Sequence, residues 1–217
     1  MIKLDRYIDV SEYKSLLCLH GELPEAPILR SLRLPIISAD GATNTLHKQG
    51  IVPDLVIGDL DSVGETLLSR VRYKRLIDQQ YSDFQKALQY MGNNSLMPAI
   101  ICGISGGYID HVINNINIFM QSANCIILTD DIIGYRLVSN HTYKFPVGSK
   151  ISIIGVPECE ITTIGLKWEL NNFKSSYPGN NSCFNRVTRE PLQIIIHSGK
   201  ALMLVYLNEI VDAGLLT

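Results

Sequence analysis

Long hydrophobic runs are missing from this sequence. None approaches the roughly 20 residues a membrane-spanning helix needs, so no membrane partner is expected. An excess of one charge sign is missing too. Nineteen basic residues face 21 acidic ones, a net charge of −2, which offers no electrostatic attraction to nucleic acid or an anionic surface. The five cysteines are scattered and form no C-x-x-C pair. Cys18, Cys102 and Cys125 lie inside apolar runs, where reduced, buried thiols are expected. The opening MIKLDRYIDV mixes charges with apolar residues and has no signal-peptide core. Together these features predict a soluble, cytoplasmic protein. Neither G-x-G-x-x-G nor a P-loop occurs, and there is no internal repeat. What is present, 46% hydrophobic and 18% charged residues in 217, suffices for a globular core in one large domain or two small ones.

The first half alternates apolar runs with amphipathic stretches. Strands are expected over 14–18, 34–38, 55–57, 73–77, 98–102 and 124–128. Helices are expected over 43–49, 65–70, from Ser82 to a stop at Gly92, and across Ile109, Val112, Ile113, Ile116, Phe119 and Met120. Ser82 with Gln85 forms a capping-box pattern. Such βαβα alternation predicts a parallel sheet.

Acidic residues gather where these strands end. In VPDLVIGDLDS, residues 52–62, Asp59 and Asp61 flank Leu60. Were the backbone extended there, both carboxylates would project to one side at the strand's carboxyl end, the edge where open α/β sheets bind ligands. Crowded carboxylates repel unless a cation lies between them, and Mg²⁺ takes one or two carboxylates plus substrate phosphates. Alone, a D-x-D is more often a solvated turn. Asp40 also follows a strand and either caps the next helix or meets a phosphate or ribose. Asp83 falls in a helix's first turn with Lys86 one turn on, suited to a metal-bound triphosphate. Gly103, Gly106 and Gly107 allow close approach of the backbone to phosphate oxygens. Asp110 then opens the next helix, as a cap or as another acid of the same series. The basic run Arg72, Lys74 and Arg75 reads as a solvated face.

From about residue 132 the period changes. Short β-branched segments separated by Gly, Pro and Asn, over 135–138, 142–147, 150–156, 161–164, 192–197 and 201–207, predict an antiparallel sandwich or barrel. The polar tract 171–186 reads as a loop or hairpin tip.

Five segments, ADGATNTL (39–46), PDLVIGDLDS (53–62), DQQYSDFQKAL (78–88), GGYIDHVINNI (106–116) and GLKWEL (165–170), together resemble the thiamine pyrophosphokinase family. The resemblance covers nearly the whole chain. It implies transfer of pyrophosphate from ATP to thiamine, giving thiamine diphosphate and AMP, with Mg²⁺. It implies a Rossmann-like α/β domain over 1–131 that binds ATP and metal, and a β-sandwich over 132–217 that binds thiamine and dimerises. Homodimers with composite active sites are implied as well. By position, Asp59, Asp61 and Asp83 resemble the metal-binding and catalytic acids, and Asp110 a further catalytic one. Asp40, Asn44, Gln79, Lys86 and the three glycines match the ATP-binding set. Ser182 and Asn185 resemble a Ser-x-x-Asn pair that hydrogen-bonds the thiamine pyrimidine.

Three positions depart from the family pattern: Tyr108 where arginine is common, Ser82 where threonine is usual, and Phe184 in place of a serine. An aromatic surface against thiamine is implied, with Phe184, Trp168 and Tyr177 as candidates. Two rival readings keep the same residues: the same Mg·ATP machinery acting on another alcohol, and a non-catalytic sensor of nucleotide or thiamine diphosphate.

Overall fold

The computed structural model describes residues 4–207. They divide into two compact units, residues 10–130 and residues 131–207 together with 4–9.

In the first unit, six strands are β1 (Ser15–Cys18), β2 (Ile36–Ala39), β3 (Leu55–Gly58), β4 (Tyr73–Arg75), β5 (Ala99–Cys102) and β6 (Cys125–Leu128). They lie in the order β6-β5-β1-β2-β3-β4, and every neighbouring pair is parallel. The central runs SLLC, AIIC and CIIL are buried throughout, as strands covered on both faces must be. Helices α1 (Ala26–Ser31), α2 (Ala42–Lys48), α3 (Glu65–Leu68), α4 (Asp83–Asn93) and α5 (Ile109–Gln121) alternate with them. Among the described residues, no helix is long and apolar enough to cross a membrane.

Helix α4 begins as its sequence requires. Ser82 Oγ accepts from the Gln85 backbone N–H at 3.3 Å, and Gln85 Oε1 accepts from the Ser82 N–H at 3.1 Å. Phe84, Ala87 and Met91 are buried. The helix runs through Gly92 to Asn93 and is capped by Asn94, rather than stopping at Gly92. Helix α5 differs more from its apolar pattern. Ile118, Phe119 and Met120 are buried, but Ile109 and Ile113 are exposed, so its apolar residues cover more of the helix surface than its own sheet accepts.

Apart from a short 3₁₀ turn at Leu4–Arg6, the second unit is built of β-strands. Its strands are β7 (Ile132–Leu137), β8 (His141–Tyr143), β9 (Lys150–Ile164), β10 (Phe173–Ser176), β11 (Ser182–Arg186) and β12 (Leu192–Tyr206), all pairing antiparallel. Two pairs of expected short strands are in fact two 15-residue strands, β9 and β12. Pro157 and Gly199 look like chain breaks in sequence. They instead fall where the β9–β12 register shifts, between Ile196/Ser198 and between Gly199/Ala201, so the irregularity is absorbed without ending either strand. Each long strand therefore serves two sets of neighbours. β9 pairs β11 near its start and β10 further along, while β12 pairs β8 and then β7. The tract 171–186 likewise contains two strands, β10 and β11.

The α4 cap also fixes the start of the helix that carries Asp83 and Lys86. Ser82→Ala should lower the unfolding free energy by about 1 kcal/mol, read from urea denaturation. An unchanged midpoint would show that packing alone sets the helix start.

Candidate active site

Three carboxylates converge where β2 and β3 end. One oxygen from each of Asp40, Asp59 and Asp61 lies within 4.8 Å of the others. The two acids of the D-x-D do not meet by strand alternation. β3 stops at Gly58, and Leu60 adopts φ 67°, a left-handed turn that is uncommon for a bulky residue. The turn brings the Asp61 N–H to 3.5 Å from Asp59 Oδ1. Ser62 Oγ donates to Asp61 Oδ1 at 3.0 Å, and Asn44 Nδ2 on α2 donates to the Ser62 carbonyl at 2.7 Å. Asp40 also has positive φ, 34°. Gly58 makes the convergence possible: a Cβ there would lie 2.8 Å from the Asp40 Cβ and 3.4 Å from Asp83 Oδ1.

The electrostatics separate the acids. Burial is the main influence on Asp40 and raises its carboxyl above the ordinary value; a hydrogen bond with Ser62 opposes this, and the charges of Asp83, Asp59 and Asp61 reinforce it. Asp40 is 3% exposed, and its Oδ1 has no hydrogen-bond partner. Burial also pushes Asp59 up, but hydrogen bonds from Gln79 and the Asp61 backbone, with the charge of Lys86, outweigh it and lower its pKa. Gln79 Nε2 donates to Asp59 Oδ2 at 3.1 Å. An orphaned buried oxygen beside two more carboxylates is an all-oxygen donor set that suits a hard divalent cation.

Asp83 stands next to this trio and is engaged differently. Its Oδ1 accepts from Lys86 Nζ at 2.9 Å. Lys86 is buried, which by itself would lower its pKa, yet the hydrogen bond and charge of Asp83, with Asp59 and Asp40, raise it, so the amine stays protonated. Nζ also lies 3.4 Å from the Leu76 carbonyl.

The glycine loop after β5 has a backbone reason for all three members, and for two of them a steric one as well. Gly103 and Gly106 have φ 74° and 87°, and a Cβ at either would collide with Leu19 or Glu22 in the turn after β1. Gly107, at φ 73°, faces open space. Asp110 is exposed and lies outside the clustered acids; its Oδ1 accepts from the His111 N–H at 2.9 Å.

In the β unit, Asn185 is 1% exposed and its amide is used within the fold. Oδ1 accepts from the Trp168 N–H at 3.1 Å and the Arg186 N–H at 2.9 Å. Nδ2 donates to the Trp168 carbonyl at 2.7 Å and to Ser182 Oγ at 3.2 Å. The pair predicted at Ser182 and Asn185 is thus in mutual contact and clamps the backbone of Trp168, whose ring is exposed.

Two residues of the acid site were missed in the sequence. Ser62 contacts both Asp40 and Asp61; its place directly after the D-x-D was the available signal. Arg75, read as part of a solvated face, is exposed but donates Nε to the Asp59 carbonyl at 3.1 Å. Its position beside Gly58 follows from the β3–β4 register, which no local pattern encodes.

The family description "Thiamin pyrophosphokinase, catalytic domain" matches residues 32–128, and "Thiamin pyrophosphokinase, vitamin B1 binding domain" matches residues 136–202. The chain is 28% identical over 228 aligned residues to thiamine pyrophosphokinase 3 of Oryza sativa subsp. japonica, covering 87% of this chain and 85% of the relative. It is 30% identical over 158 residues to thiamine pyrophosphokinase of Bacillus subtilis (strain 168), covering 63% and 70%. The solved thiamin pyrophosphokinase from Candida albicans has a TM-score of 0.77 at 17% identity, covering 92% of this chain and 90% of that one, a likeness of fold.

Because burial raises the Asp40 carboxyl above its ordinary 3.8, the folded state holds that proton more tightly than the unfolded chain does. Without bound metal, stability therefore falls as pH rises from about 3.8 through the raised value. Asp40→Asn should raise the melting temperature of the metal-free protein at pH 7, with the gain vanishing as pH is lowered towards 4. A lower melting temperature at pH 7 would contradict this account of Asp40.

Proposed function

The chain belongs to the thiamin pyrophosphokinase family, and from that premise we propose how its residues divide the work. The activity is transfer of pyrophosphate from ATP to the hydroxyl of thiamine, yielding thiamine diphosphate and AMP. The observation that carries the site assignment is the orphaned, buried Asp40 Oδ1 beside Asp59 and Asp61.

In our reading Asp40, Asp59 and Asp61 hold Mg²⁺, so Asp40 joins a metal set in which Asp83 was first expected. Bound there, the ion would neutralise charge on the polyphosphate. Asp83 keeps Lys86 protonated and placed, and the ammonium meets a phosphate oxygen. Gln79 and Asn44 hold the turn that carries the acids, and Gly107 leaves the backbone open to phosphate. The thiamine hydroxyl attacks the β-phosphorus as AMP departs. The rate of such a transfer rests mainly on alignment and charge neutralisation. Asp110, exposed and outside the cluster, is the carboxylate left to take the hydroxyl's proton. Ser182 offers its hydroxyl to thiamine, while Asn185 acts through Trp168.

The same proposal takes the α/β unit as Rossmann-like and ATP-binding, and the β unit as a sandwich that binds thiamine. The same reading includes a homodimer joined through the β unit, with composite active sites. The five free cysteines suit the cytoplasm.

Incubation with Mg·ATP and thiamine should release AMP and thiamine diphosphate in equal amounts. ADP as product, or AMP only with another alcohol, would overturn the proposal. Asp61→Asn should fold normally and lose on the order of 10²–10³ in rate. Retention of full activity by that variant would remove Asp61 from the metal set.

A further inference from the structure

Two cations stand beside the acid cluster, and the fold treats them differently. Lys86 is buried and committed, its Nζ 2.9 Å from Asp83 Oδ1 and 3.4 Å from the Leu76 carbonyl. Arg75, one residue before Leu76, is exposed. It ends β4 opposite Gly58 in the parallel pairing with β3. The Leu76 N–H donates to the Gly58 carbonyl at 2.7 Å, which ties the end of β4 to the backbone leading into the D-x-D. The Arg75 side chain continues along that path, and its Nε donates to the Asp59 carbonyl at 3.1 Å.

What Arg75 does not do is informative. The stronger partner for a guanidinium is a carboxylate, gripped by two parallel N–H bonds. Three carboxylates cluster at this turn, yet Arg75 forms no ion pair among the described residues. It spends only Nε, on a main-chain carbonyl, and both Nη groups are left without a partner among the described residues. Because the guanidinium is planar and rigid, a bonded Nε also limits where the Nη fork can point. The fold therefore holds a charged, two-pronged donor beside the acids and leaves it uncommitted.

We propose that Arg75 is a phosphate-binding residue of this site, its Nη fork gripping two oxygens of a polyphosphate seated beside Asp40, Asp59 and Asp61. On the family reading, on which the identity of this anion rests, it is the phosphate chain of ATP. The two cations then differ in kind. Lys86 supplies a point charge fixed by Asp83, and Arg75 supplies a directional, bidentate contact. The bond to the Asp59 carbonyl couples that contact to the turn that carries the acids, so the fork is placed before the anion arrives.

The test titrates wild type, Arg75→Gln and Arg75→Lys with three probes: Mn²⁺ alone, α,β-methylene-ATP with Mg²⁺, and inorganic tripolyphosphate with Mg²⁺. The methylene bridge keeps the nucleotide from being cleaved, and thermal melting shows that each variant is folded. Arg75→Gln should weaken the nucleotide and tripolyphosphate alike by about tenfold, the size of a charge-assisted hydrogen bond. It should bind Mn²⁺ no more weakly than wild type does. Arg75→Lys keeps the charge without the fork and should recover only part of the loss. Weakened Mn²⁺ binding in Arg75→Gln would show that the residue only braces the turn, and would overturn the proposal. A loss confined to the nucleotide would move Arg75 to the base or ribose, and full recovery in Arg75→Lys would remove the fork; either contradicts it. If both variants bind every probe as wild type does while wild type converts thiamine, Arg75 is wrongly assigned and the family reading stands. If wild type binds both polyphosphates through Arg75 yet releases no AMP with thiamine, the residue's role stands and the thiamine reading falls.

Discussion

Three carboxylates held within 4.8 Å of one another repel, and the local structure is organised around keeping them there. Their closeness is imposed by backbone geometry: positive φ at Asp40 and Leu60, and a Gly58 that leaves no room for a side chain. Fixed positions of this kind cost folding free energy unless something else relieves the charge. Burial above all, reinforced by the charges of Asp83, Asp59 and Asp61, raises the Asp40 carboxyl, and its Oδ1 has no hydrogen-bond partner. A bound cation is the simplest agent that would relieve the charge.

The sheet supplies the setting. Parallel strands deliver their ends to one edge, and the residues gathered there come from three separate crossovers, those after β2, β3 and β4. Asn44 on α2, Gln79 before α4 and Arg75 at the end of β4 all reach the turn that carries Asp59 and Asp61. Lys86, protonated and buried against Asp83, places a positive charge beside the acids without cancelling all of them. A cluster that stays net negative attracts a metal ion, and the amine beside it remains for the phosphates. The other unit uses a comparable device for a different end: Asn185 uses its whole amide to fix the backbone around Trp168, leaving an aromatic ring exposed.

Much of this was legible in the sequence where it depended on local pattern. The parallel strands followed from apolar runs alternating with helical periods, and the α4 cap from Ser82 and Gln85. Asp59 and Asp61 were picked out correctly as neighbours, but for a different reason than the one that operates, since an extended backbone would not produce the turn at Leu60. What escaped depended on register and on distant partners. Arg75 reaches Asp59 through the β3–β4 pairing, and Asp40, expected on this edge as an ATP-binding acid, lies close enough to Asp59 and Asp61 to share an ion with them. Two long strands looked like four short ones because Pro157 and Gly199 resemble breaks when their β9–β12 pairing is unseen. Asn185 is the clearest case: the family resemblance implied a ligand contact, and only its burial and hydrogen bonds reveal the clamp.

Divalent-cation binding to the metal-binding acids tests the central claim most directly. Mn²⁺ titration followed by its paramagnetic signal should find a site in the wild-type protein that Asp40→Asn and Asp59→Asn each weaken by at least about tenfold, while Asp110→Asn leaves it unchanged. Mn²⁺ affinity that is indifferent to Asp40→Asn would contradict the account.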